Sequence, residues 1–66
     1  MSSIAEAREV LEKIKNSIVY TRAKDYHSAL MEIYRKANKS DASIIRELVK
    51  EANAFMDVME KKETDL

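Results

Sequence analysis

Sixty-six residues allow at most one small domain, and chains this short usually need a disulfide, a metal or association to complete their core. With no cysteine and one histidine, disulfide frameworks and thiolate or multi-histidine metal sites are excluded. Formal net charge is zero.

The charge is unevenly spread. Residues 1–12 carry one basic and three acidic groups, residues 13–39 seven basic and two acidic, and residues 40–66 four basic and seven acidic. A basic middle beside an acidic end is most simply explained by attraction within the fold. Apolar residues at 45% with charged residues at 36% suit a soluble helical protein. Unbroken apolar runs reach three residues at most, as in Ile18-Val19-Tyr20, too short to span a bilayer, and no signal peptide is visible. A cytoplasmic location is expected.

Ser3 and Glu6 have capping-box spacing and open the first element. From there Ile4, Ala7, Leu11, Ile14 and Ile18 advance by 3 and 4, the rhythm of a coiled-coil seam. The rhythm slips near residues 19–25, where Val19, Ala23, Tyr26, Leu30, Ile33 and Ala37 take over in a rotated line. Such a slip resembles a stutter inside one continuous helix. The spacing therefore predicts a single helix over about 3–37. The alternative is a break near Asp25, with Asp25 capping a separate helix.

Asn38-Lys39-Ser40-Asp41 reads as a turn, with Asn38 as a left-handed C-cap and Ser40 or Asp41 capping the next helix. That second helix is expected over about 42–62, with Ile45, Leu48, Ala52, Phe55 and Met59 as its apolar line and Ile44, Val49 and Met56 beside it. Residues 63–66 are polar and expected to fray. Folding back at the turn sets Tyr34 near Ile45, Tyr26 near Ala52 and Arg22 near Asp57. The shorter second helix then leaves Ile4, Ala7, Leu11, Ile14 and Ile18 uncovered.

The expected fold is thus all-α: one helical domain over 1–66, a hairpin of a long and a shorter helix. Two copies, joined through the seam Ile4, Ala7, Leu11, Ile14 and Ile18, would close an antiparallel four-helix bundle. A monomeric three-helix bundle broken near Asp25 is the alternative.

Little here suggests catalysis. His27 has no nucleophile nearby in sequence and reads as a surface histidine. The carboxylates are dispersed among lysines at helix spacing, and the absence of glycine rules out a Gly-rich phosphate loop. No enzyme, cofactor, metal or small-molecule substrate is expected. One stripe stands out: Lys13, Asn16, Tyr20, Lys24, His27, Met31 and Arg35 keep helical spacing opposite the seam with no acid among them. Cations interleaved with an aromatic can grip phosphates and stack on bases, or receive an acidic protein helix.

The run Lys24-Asp25-Tyr26-His27-Ser28-Ala29-Leu30, with Tyr34 and Ala37, resembles the helix-turn-helix core of tetratricopeptide repeats and of microtubule-interacting-and-transport domains. Tyr34 falls one position late for either pattern, and no glycine marks the turn. The resemblance implies a three-helix arrangement. In layout, the hairpin is similar to plasmid RNA-binding hairpin dimers, small viral adaptor dimers and type III secretion needle chaperones, an analogy of architecture only. The expected function is a small non-enzymatic adaptor or regulator, homodimeric, that binds another protein through its helix faces. An RNA- or DNA-binding hairpin dimer using the basic stripe is the alternative.

Overall fold

The computed structural model describes residues 2–64, and the side chains of residues 2–62. Those residues form three helices, α1 (Ser3–Lys15), α2 (Tyr20–Lys36) and α3 (Lys39–Thr64), with no strand among them. The all-α class holds. The continuous helix expected over 3–37 does not: it is two helices, and the break lies at residues 16–19 rather than at Asp25, which is exposed within α2.

Local chemistry explains the break. Asn16 takes the C-cap position at φ −90° and ψ −2°, and its N–H donates to Glu12 O. The Ser17 N–H donates to Ile14 O at 3.1 Å, tightening the last turn. The Ser17 hydroxyl donates to Lys13 O at 2.7 Å, satisfying a carbonyl that the helix end would otherwise orphan. The β-branched pair Ile18-Val19 comes next, stiff at χ1 and content in extended backbone. Val19 adopts φ −100° and ψ 128°, and its carbonyl accepts the first bond of α2 from the Ala23 N–H.

The energetics favour the break. Interrupting a helix forgoes a few backbone bonds worth about 0.5–1.5 kcal/mol net apiece, and the Asn16 and Ser17 bonds replace part of that. The reversal lets α1 fold onto its own chain and bury Ala7, Leu11 and Ile14. Each large aliphatic side chain so buried contributes roughly 1.5–3 kcal/mol.

The other ends are also set differently from expectation. The N-cap of α1 is Ser2, with no side-chain cap bond, so the box expected at Ser3 and Glu6 does not form. Ala37 ends α2 in extended backbone, and no described residue has positive φ. Asn38 therefore does not close α2. It opens α3 instead: its Oδ1 accepts from the Asp41 N–H at 2.8 Å, and its carbonyl from the Ala42 N–H at 2.8 Å. Of the tail expected to fray, Asp65 and Leu66 lie outside the described residues, while the backbone stays helical through Thr64.

The three helices share one core of Ala7, Leu11, Ile14, Ala23, Leu30, Ile45, Val49, Ala52 and Met56. One small residue from each helix, Ala7, Ala23 and Ala52, is fully buried, which lets the backbones approach closely. Along α3 the buried line is Ile45, Val49, Ala52 and Met56. Leu48, Phe55 and Met59, expected at its centre, are half-buried beside it, and Ile44 is exposed. The bundle measures 41 × 17 × 14 Å. At 1.5 Å per residue α3 alone is about 39 Å long against about 20 Å for α1, so α3 is the spine.

The expected dimer seam is thus largely consumed inside one chain. Ala7, Leu11 and Ile14 are buried, Ile4 packs half-buried against the core, and Ile18 is turned out to solvent. Ile14→Asp sets an unpaired carboxylate in a fully buried position, at a cost of several kcal/mol. That rivals the whole stability of a domain this size. Far-UV circular dichroism is expected to show loss of helix at every concentration; retained helicity with a halved mass would instead restore the hairpin dimer. Leu30→Ala, at another fully buried position, is expected to cost about 2–5 kcal/mol in denaturant unfolding.

Candidate functional site

The break divides the basic stripe. Lys13 and Asn16 remain on the α1 side of the corner, whereas Tyr20, Lys24, His27, Met31 and Arg35 lie on α2. Tyr20, Lys24 and His27 line a groove between α2 and α3 together with Asn53, Met56 and Asp57. Here Lys24 Nζ stands 5.7 Å from the centroid of the Tyr20 ring. His27 Nε2 lies 2.6 Å from Asn53 Oδ1, a bridge between the two helices. Met31 is half-buried against the core, and Arg35 pairs with Glu32 at 3.0 Å. His27, expected as a solvated residue, is partly covered and linked across the bundle. Asp57, expected near Arg22, shares its groove with Lys24, while Arg22 lines the α1–α2 groove instead.

A different constellation forms at the α1–α2 corner. Lys13, Asn16, Ser17, Ile18, Val19, Arg22 and Tyr26 line a groove of about 430 Å³. Its position results from the antiparallel pairing of α1 with α2, which sets Lys13 beside Tyr26; Lys13 Nζ stands 5.9 Å from that ring's centroid. Lys13 also lies 4.0 Å from Glu9 Oε1, the limit of an ion pair. Ile18 is 94% exposed and Val19 54%. Two cations, one aromatic ring and two uncovered aliphatic side chains therefore share one open surface. Large exposed aliphatics beside cations and an aromatic ring are a composition found at contact surfaces.

Of the stripe's residues, the corner gathers only Lys13 and Asn16. Arg22 is no part of the basic stripe and Val19 belongs to the expected apolar line, and they come together with Lys13 only because the chain reverses at Asn16 and Ser17. Asn and Ser favour helix ends, but their residue types alone do not tell a stop from a stutter. Among the described residues, no group of three His, Asp or Glu side chains is placed to hold a metal ion. No helix among them is long and apolar enough to cross a membrane.

The His27–Asn53 bridge is exposed and is expected to contribute about 0.5–1 kcal/mol. A double-mutant cycle with His27→Ala and Asn53→Ala should return that coupling; additive effects would show that the contact contributes nothing. No family model, curated protein or solved structure matches the chain.

Proposed function

We propose that the chain is a small non-enzymatic adaptor or regulator that binds another protein at the α1–α2 corner. The observation that carries this reading is the exposure of Ile18 and Val19 between Lys13 and Arg22. An exposed isoleucine contributes nothing to the fold of its own chain, while burying it against a partner is worth roughly 1.5–3 kcal/mol. The adjacent cations select a partner segment that pairs a carboxylate with an apolar side chain, and Tyr26 supplies a flat wall with a polar tip.

The alternative reading, RNA or DNA binding, relied on a single continuous cationic stripe. In the folded chain Arg35 pairs with Glu32, and Tyr20 and Met31 pack against the core. No uninterrupted phosphate-tracking face favours that reading over the corner.

Nuclear magnetic resonance titration with a synthetic peptide carrying leucine and glutamate is the test. Shifts are expected at Ile18, Val19 and Arg22, with affinity only modestly sensitive to salt. Ile18→Ser should weaken the complex about tenfold or more while leaving unfolding within about 0.5 kcal/mol, because the replaced side chain is solvated. If the peptide leaves those residues unmoved, the corner is not its site. If a single-stranded RNA oligonucleotide moves them instead, with affinity falling steeply as salt rises, the nucleic-acid reading replaces this one.

A further inference from the structure

The outer face of the α1–α2 pair carries a furrow that continues the corner. On α1, Ser3, Glu6, Val10 and Lys13 advance by 3, 4 and 3; on α2, Arg22, Tyr26, Ala29 and Ile33 advance by 4, 3 and 4. Each set keeps to one face of its helix. The antiparallel register that sets Lys13 beside Tyr26 also sets Val10 beside Ala29 and Glu6 beside Ile33. The two lines therefore wall one straight groove in two successive stretches of about 430 Å³ each, lined from α1, α2 and the corner. At 1.5 Å per residue it runs roughly 20 Å along α1.

The middle of the groove is apolar. Val10, Tyr26 and Ile33 pack against the core and also line the groove, while exposed Ala29 leaves space between them. The rim carries charge of opposite sign at separate places. Lys13 and Arg22 stand at the corner, and Glu6 lies toward the other end. Among the described residues neither Arg22 nor Glu6 has an ion-pair partner. Glu32, by contrast, is held by Arg35.

We infer that the partner at the corner is an amphipathic α-helix of another protein, laid along this groove as the fourth helix of a bundle. The inference rests on the corner reading above and adds the shape and charge order of the partner. A straight apolar furrow between two helices accepts the apolar face of a third, and the small Ala29 admits a large anchoring side chain. The charges fix the order. In the antiparallel register Arg22 is level with Ser17, which lines the same stretch, so Arg22 and Glu6 lie about three helical turns apart. A helix meets both with a carboxylate at i and a cation at i+11, which share one face, and apolar residues at i+4 and i+7 between them. Its carboxylate then falls at its N-terminal end, where its own dipole favours negative charge.

The probe is a synthetic alanine-rich helical peptide with glutamate at i, leucine at i+4 and i+7 and lysine at i+11. Nuclear magnetic resonance shifts are expected at Val10, Ala29 and Ile33 as well as at Ile18 and Arg22. A spin label at the glutamate end should broaden Ile18 and Arg22 and spare Ser3. Ala29→Glu, at an exposed position, should weaken the complex at least tenfold with the helical spectrum unchanged, while Ser28→Glu, exposed and off the groove, should leave it intact. Arg22→Glu should weaken it too, and lysine in place of the peptide's glutamate should restore it. Shifts confined to the corner, or full affinity in Ala29→Glu, overturn the groove and leave the corner reading standing. Shifts nowhere remove both. If the chain alone doubles its mass with concentration and Ala29→Glu abolishes that, a second copy occupies the groove and the inference fails.

Discussion

The apolar edge of α1 must leave water, and the rest of the bundle depends on where it goes. Ala7, Leu11 and Ile14 are too few to stabilise a 13-residue helix in isolation, and the sequence has no cysteine to hold it by a disulfide. They reach shelter because the chain reverses within Asn16 to Val19. Once α1 lies against α2, the core residues Ala23 and Leu30 face it from one side and Ile45 and Ala52 from the other. The fully buried alanine in each helix is the steric condition for that approach. A larger side chain at Ala7, Ala23 or Ala52 would push the backbones apart by more than the core could absorb.

The same reversal leaves residues that are not needed for folding in exposed positions. On a continuous helix Ile18 would extend the seam begun by Ile4. In the folded chain it lies in the bend between two helix ends and is turned out to solvent. The corner is therefore both the device that completes the fold and the place where aliphatic side chains remain uncovered. Fold and candidate site share one cause.

Much of this was legible from periodicity. Of the residues that the 3,4 rhythm places in helix-facing lines, Ala7, Leu11, Ile14, Ala23 and Leu30 are buried, whereas Ile18 is exposed and Leu48, Phe55 and Met59 lie at the edge of the core. What periodicity could not give is whether a lateral slip in the rhythm is a stutter or a stop. Both displace the apolar line in the same way, and the distinction rests on local hydrogen bonds such as Ser17 Oγ to Lys13 O. Asn38 shows the same limit: its residue type suits a C-cap and an N-cap equally, and its Oδ1 bond to the Asp41 N–H decides for α3. The corner groove was illegible for a related reason, since it joins Lys13 to Arg22 and Tyr26 across a turn that helical spacing did not register. The charge split also did less than expected inside the fold. Of the ion pairs described, only Lys15–Glu51 joins two helices, and the rest are neighbours along one helix.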